Sequence, residues 1–308
     1  MRTKTRYLLL VLILLLLGPS GYGRADHPSS DCNITSHEVA LDGGVLYYST
    51  AGTTGSRVLL LHGLFAQKEQ WNGVLCLLSA AGYAAMAPDL PGYGQSVDFP
   101  LVDYRLENQV ERLRQFVDAL GIATFDLAGS SMGGAIAALY VRHYPRQVRT
   151  LAFIGSPLGI VGWGPRVREA IYQGINPFIP IDIAQFDLEM GLLFVNPPSI
   201  PEPVKAALVK DYVERNRHYQ QVWDIVNLYD TMLEDGPPIW IPTLVLWGAD
   251  DRIFAVEGLD RLSYRFPRGK RVKLPGAGHL PLLENPEATT GIYLDFLRTY
   301  PAGRLGRR

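Results

Sequence analysis

Phe125-Asp126-Leu127-Ala128-Gly129-Ser130-Ser131-Met132-Gly133-Gly134 constrains this chain more than any other stretch. It reads as a short apolar strand, a tight turn carrying a serine, and a helix that begins at Met132. Gly129-Ser130-Ser131-Met132-Gly133 fits the G-x-S-x-G spacing of a nucleophile elbow. A serine on such a strained strand-to-helix turn needs neighbours two residues away on either side that are almost free of side chain. Ser131 Oγ is then expected at the C-terminal edge of a sheet. The Met132 N–H, at a helix N-terminus, is expected to face a developing oxyanion. A glycine-rich turn with an incidental hydroxyl has the same spelling, so the surroundings decide.

Those surroundings alternate apolar strands with helices. Glu38 to Leu41 and Val45 to Ser49 flank Asp42-Gly43-Gly44, a hairpin signal, so the sheet is expected to begin antiparallel. Val58 to Leu61 is a continuous apolar run of the kind buried on both faces, and it ends in His62-Gly63-Leu64-Phe65. A helix near Trp71 to Ala80, a strand from Tyr83 to Ala87 and the turn-rich Pro88-Asp89-Leu90-Pro91-Gly92-Tyr93-Gly94 follow. Leu106, Val110, Leu113, Val117 and Leu120 recur at helical spacing up to Gly121. After the elbow come a helix to Tyr144 and a strand from Leu151 to Ile154. Strands are next expected at Thr243 to Trp247 and Val272 to Leu274, and a helix from Glu287 to Tyr300 closes the domain. This rhythm predicts an α/β fold with a mostly parallel, doubly wound sheet. Between 157 and 240 prolines and aromatics are dense and strands are not legible, which reads as an inserted helical cap. The core is then 26–156 with 241–308.

The first residues read as a targeting segment. Arg2, Lys4 and Arg6 precede the apolar run Leu8 to Leu17, which Gly18, Pro19 and Gly21 break. Ten apolar residues match a signal peptide and are short for a membrane span. Residues 1–25 are therefore read as a leader cleaved after Ala25, for a secreted or periplasmic protein, the alternative being an uncleaved anchor. Cys32 and Cys76 are the two cysteines. In an exported protein they could pair, or stand as an arm thiol and a buried helix thiol. They do not make a zinc site without a nearby histidine pair. Asn33-Ile34-Thr35 is a glycosylation sequon, meaningful in a eukaryotic secretory pathway. A formal net charge of −1 gives no reason to propose nucleic acid as a partner.

Acyl transfer by serine needs a base to take the hydroxyl proton and an acid to hold that base in the right tautomer. The expected chain order in an elbow fold is serine, acid, histidine. His279 follows a strand end in the Gly-rich Pro275-Gly276-Ala277-Gly278-His279 and is the candidate base. His143 at the end of the elbow helix, His218 in the cap, and His27 and His37 near the N-terminus compete less well. The acid is Asp250 or Asp251, both at a strand end, where one side chain can face the site and the other turn away. His62, beside Gly63, is read as a brace for its loop rather than a catalytic group.

His62-Gly63-Leu64-Phe65, Asp89-Leu90-Pro91-Gly92-Tyr93-Gly94-Gln95-Ser96, the elbow, Trp247-Gly248-Ala249-Asp250-Asp251, and Gly278-His279 with Glu284-Asn285-Pro286 behind it resemble the α/β-hydrolase superfamily. The resemblance spans nearly everything after the leader. Its W-G-x-x-D pattern implies Asp251 as the acid, and it implies the Leu64 and Met132 N–H groups as oxyanion donors. The stretch from His62 to Trp71, together with the elbow, resembles the monoacylglycerol-lipase branch and related bacterial exported lipases. The expected activity is hydrolysis of lipid-like carboxylic esters through an acyl-enzyme on Ser131, with no cofactor or metal. The expected partner is a small acyl ester, with membrane-surface association through that substrate or an uncleaved N-terminus. Hydrolysis of carbon–carbon bonds or small non-lipid esters, or a non-catalytic binding role, are the alternatives.

Overall fold

The computed structural model describes residues 32–159, 162–229, 233 and 236–301. The leader and the arginine-rich C-terminus lie outside them. Eight strands form one sheet: β1 Thr35–Leu41, β2 Gly44–Ala51, β3 Arg57–Leu61, β4 Ala84–Pro88, β5 Phe125–Ser131, β6 Val148–Pro157, β7 Thr243–Gly248 and β8 Gly269–Leu274, in the order β1-β2-β4-β3-β5-β6-β7-β8. β2 runs antiparallel to both its neighbours, and from β4 to β8 all pairings are parallel. The expected hairpin is present, turning on Asp42 and Gly43, with Gly43 at φ +92°.

Helices α1 Asn72–Ala80, α2 Leu106–Ala119, α3 Met132–His143, α8 Gly258–Arg265, α9 Pro281–Glu284 and α10 Pro286–Thr299 accompany the sheet. Between β6 and β7 stand α4 Pro165–Tyr172, α5 Ile183–Leu193, α6 Glu202–Glu214 and α7 Asn216–Val226. Among the described residues this segment adds to the β-structure only an isolated bridge, Trp163 to Phe254.

The central strands are apolar on both faces because both faces are covered. Leu59, Leu61, Leu127, Phe153, Val245 and Trp247 point into one cluster with the inner faces of α2 and α3. Their alternates Val58, Leu60, Ala128, Ile154, Leu244 and Leu246 point into a second, with α1 and α10. This is the period-two pattern of a strand buried on both sides.

β6 and β8, like β1 and β2, are longer than the sequence suggests. β6 begins at Val148, and its polar start is explained across the sheet: Arg149 pairs with Asp126 of β5, which also accepts from Thr150 Oγ1 at 2.8 Å. β8 begins at Gly269 as an edge strand whose Lys270, Arg271 and Lys273 reach solvent, a common protection of an open edge. Cys32 and Cys76 form a disulfide with Cα atoms 5.5 Å apart, so the first of the two sequence alternatives holds. It ties the chain just before β1 to α1.

The sheet order reverses between β3 and β5, since β4 lies on one side of β3 and β5 on the other. Such switch points leave a crevice beyond the C-terminal strand ends, where open α/β sheets bind ligands. His62 to Ala66 and Ser131 lie at those two strand ends.

Candidate active site

The backbone geometry at Ser131 is unusual. Its φ is +52° and ψ −119°, and Phe65 is the other non-glycine residue with positive φ among those described. A side chain at such φ is strained and persists only where the surroundings enforce it. The glycines show what enforces it. A Cβ on Gly129 would stand 2.2 Å from Gly133 O, and one on Gly133 would stand 2.3 Å from Leu61 O. The strand, the turn and α3 therefore approach so closely that both positions exclude any side chain. The elbow spacing is a packing requirement here, and its product is a partly exposed Ser131 at the foot of α3.

Met132 is the first residue of α3, where N–H groups lack intrahelical acceptors. Its Sδ accepts from Tyr93 Oη at 3.1 Å. Leu64 follows β3 in a loop fastened from several sides. Gly63 N donates to Gln70 Oε1 at 3.2 Å, and Ala66 N to Gly63 O at 3.3 Å. His62 is fully buried. Leu90 N donates to its Nε2 at 3.0 Å, so Nδ1 carries the ring hydrogen and donates to Gly63 O at 2.8 Å. Burial is the main reason that the imidazole pKa falls to about 4; the bond to Gly63 pulls the other way. His62 is thus a neutral brace between two loops, as its sequence position suggested. Beside it, Lys68 Nζ meets Asp89 Oδ2 at 2.9 Å, and Asp89 also accepts from Lys68 N and Gln95 N at 2.7 and 2.9 Å. Both side chains are buried.

Asp251 and His279 come together from the ends of β7 and β8. His279 Nδ1 lies 3.1 Å from Asp251 Oδ2. The other carboxylate oxygen accepts from Ile253 N and Phe254 N at 2.8 and 3.1 Å. Burial alone would raise the Asp251 pKa, but His279, Ser156 and the Phe254 amide outweigh it and hold the carboxyl below its ordinary range. Asp250 turns away and accepts from Gly276 N near the surface. Of the two candidates, Asp251 is the one that contacts a histidine. Ser131, His279, Leu64 and Met132 all line a single cavity of about 160 Å³. Most of its wall is apolar, and about half of the lining residues come from the segment between β6 and β7, including Phe178, Phe186, Met190 and Leu208.

Sequence reasoning missed three groups. Ser156, at the C-terminal end of β6, donates to Asp251 Oδ2 at 2.5 Å and stands 3.1 Å from His279 Nδ1. Its signal was a lone hydroxyl closing an apolar strand between the serine and acid strands. Glu284, in a motif noted without a role, accepts from Gly278 N at 2.6 Å and Val195 N at 2.7 Å. With His279 N donating to Leu193 O at 3.1 Å, it couples the histidine loop to the end of α5. The third is Glu189, a carboxyl in the cavity wall. Among the described residues, no group of three His, Cys, Asp or Glu side chains is placed to hold a metal ion.

Residues 56–286 match the family described as alpha/beta hydrolase fold. The chain belongs to the alpha/beta hydrolase fold family. Relatives in that family include "Lipase 1" of Psychrobacter immobilis, 29% identical over 280 residues that cover 89% of this chain and 87% of that protein. "Monoacylglycerol lipase ABHD6" of Mus musculus is 29% identical over 266 residues, covering 81% and 78%. Among solved alpha/beta hydrolases, a membrane phospholipase A described as a bacterial virulence factor superposes with a TM-score of 0.81 at 30% identity. That match covers 95% of this chain and 91% of the other.

Proposed function

We propose that this protein hydrolyses lipid-like carboxylic esters through an acyl-enzyme on Ser131. The observation that carries the proposal is the position of His279. It is hydrogen-bonded to buried Asp251 at Nδ1, and it shares with Ser131 a cavity whose walls are mostly apolar. With Nδ1–H committed to Asp251, Nε2 is the basic nitrogen.

In this reading His279 Nε2 takes the Ser131 hydroxyl proton as Oγ adds to the ester carbonyl. The oxyanion is held by the Leu64 and Met132 N–H groups. His279 gives the proton to the departing alcohol, which leaves the acyl group on Oγ. Water then adds with its proton passing to His279, and collapse releases the acid and restores Ser131. Asp251 keeps the tautomer throughout, and each step uses protein groups and water alone.

The apolar wall and the lipase names of the relatives favour an acyl ester over a polar substrate. An apolar cavity of ~150 Å³ holds about one benzene ring, so the enclosed part of this one suits roughly six chain carbons, with any longer chain extending outward. The helical segment between β6 and β7 serves as the cap of this pocket. The Cys32–Cys76 disulfide and the leader favour an exported protein, since disulfides persist in oxidising compartments. Among the described residues, no helix is long and apolar enough to cross a membrane.

The test is hydrolysis of an ester series of rising acyl length, with Ser131→Ala as the blank. A preference for medium or longer chains is expected. Turnover confined to the shortest esters, or absent above the blank, would overturn the lipid reading and move the site toward small esters or carbon–carbon bonds.

A further inference from the structure

A helix that walls the cavity is held at its C-terminal end by the two loops that carry Asp251 and His279. Phe186, Met190 and Leu193 fall on one stripe of α5, at i, i+4 and i+7, and all three line the cavity. The carbonyls of a helix's last turn have no intrahelical donors. In α5 Phe194 N still returns to Met190 O at 3.0 Å, but the carbonyls beyond it are met from outside. Arg252 Nη1 donates to Gly191 O at 2.7 Å, with a longer approach of 3.4 Å to Phe194 O. His279 N donates to Leu193 O at 3.1 Å. Arg252 directly follows Asp251, so one helix end takes a bond from each of the two loops.

Arg252 suits that place. The helix dipole favours a cation at a C-terminus, and a guanidinium presents several donors in a fixed plane. The backbone beside it is fixed as well. Asp251 Oδ1 takes the Ile253 and Phe254 N–H groups, and Ile253 O accepts from Gly164 N, just before α4, at 2.7 Å. Glu284, which holds Gly278 N and Val195 N, feels the same cation: burial raises its carboxyl, and those two amides and Arg252 oppose the rise. Arg252 is not part of the cavity lining, so its influence on the reaction passes through α5 and the loop after β7. The stripe on α5 gains packing partners from a ligand, since atoms facing a cavity lack them on that side. Phe186 otherwise packs with Ile200, Leu208 and Val209 in a small cluster separate from the two that flank the sheet. An acyl chain that fills the cavity therefore braces α5 against both loops. An acetyl group leaves most of the capacity of roughly six carbons unused.

We propose that Arg252 is a positioning and specificity-determining residue. Through the C-terminal end of α5 it couples filling of the acyl pocket to the alignment of Asp251 and His279, so that a longer acyl chain raises kcat and not affinity alone. The inference rests on the ester-hydrolase reading and adds to it how that site tells chain lengths apart.

The experiment measures kcat and KM separately on the 4-nitrophenyl esters of acetic and hexanoic acid, with wild type, Arg252→Met and Arg252→Lys, after thermal melting has established which variants are folded. Wild type is expected to turn over the hexanoyl ester with the higher kcat. Arg252→Met keeps the apolar stem and removes the donors, so the ratio of hexanoyl to acetyl kcat should fall about tenfold, the scale of one hydrogen bond to a charged group. Arg252→Lys keeps the charge without the planar fork, and the ratio should fall about threefold. The intrinsic reactivities of the two esters cancel when the ratio is compared between proteins. The proposal is overturned if wild-type kcat does not rise from acetyl to hexanoyl and KM alone differs. It is also overturned if the ratio stays at its wild-type value in Arg252→Met, or in Arg252→Lys should the methionine variant not fold, because a merely structural clamp lowers both kcat values by one factor. No turnover of either ester above the Ser131→Ala blank would instead defeat the ester-hydrolase reading itself, so the two failures are distinguishable.

Discussion

Acidification should release the loop after β3 through His62, by an amount the geometry sets. An amide N–H on Nε2 and a carbonyl on Nδ1 leave the ring no place for a second proton. Protonation would set two donors, the Leu90 N–H and Nε2–H, against each other in a buried site. The folded pKa of about 4 lies below the unfolded value of 6.5, so between them the unfolded chain binds more protons. The stabilisation from neutral His62 is therefore complete above pH 6.5 and is lost as pH falls toward 4. Linkage gives about 2.5 kcal/mol lost between pH 7.5 and 4.5.

Total stability will not reveal this directly. Burial pushes Asp126 up to about 6 and Glu189 to about 8, so the folded state holds their protons more tightly and gains stability on acidification. The slopes oppose one another. A difference measurement isolates His62: urea unfolding of wild type and His62→Gln, followed by tryptophan fluorescence, at pH 7.5 and 4.5. The variant is expected to be the less stable at pH 7.5, and the gap should narrow by about 2.5 kcal/mol at pH 4.5, because glutamine does not titrate. A gap that stays constant within about 1 kcal/mol would refute the buried neutral histidine and the argument from its two hydrogen bonds.

Two further expectations concern groups around the site. Ser156→Ala removes a hydrogen bond to the Asp251 carboxylate while leaving the amide bonds on Oδ1, so kcat should fall about tenfold or more with little change in melting temperature; unchanged kcat would deny Ser156 a positioning role. Lys68→Met strands the buried Asp89 charge and should cost about 3–5 kcal/mol in urea unfolding. The exposed pair Lys205–Asp187 provides the contrast, since Lys205→Met should change stability very little. Equal effects at the two lysines would contradict the buried clamp.

Much of the sheet was legible because each central strand is a run of apolar residues buried on both faces, and Val58 to Leu61 cannot be solvated in any compact fold. The elbow was legible for a related reason, since Gly129 and Gly133 are forced by contacts within a few residues and across to the adjacent strand. Legibility fails where a contact joins distant positions. Arg149 hid the first three residues of β6 because its partner Asp126 lies on another strand. Ser156 looked like any strand-end serine because Asp251 is 95 residues away. Position at a strand end left Asp250 and Asp251 equivalent, and only the resemblance in W-G-x-x-D implied Asp251; in the structure the directions of the two side chains separate them. Glu189 was invisible because a polar residue on the buried face of a helix resembles one on its wet face until the neighbours are known.

The central claim is that Ser131 is the nucleophile, and covalent labelling tests it most directly. Wild type is treated with a serine-reactive alkyl phosphonate, digested, and mapped by mass spectrometry. The account predicts one adduct on Ser131, no adduct in Ser131→Ala, and much slower labelling in His279→Ala with the fold retained. Modification at Ser130 or Ser156 instead, or labelling that persists without the Ser131 hydroxyl, would contradict it.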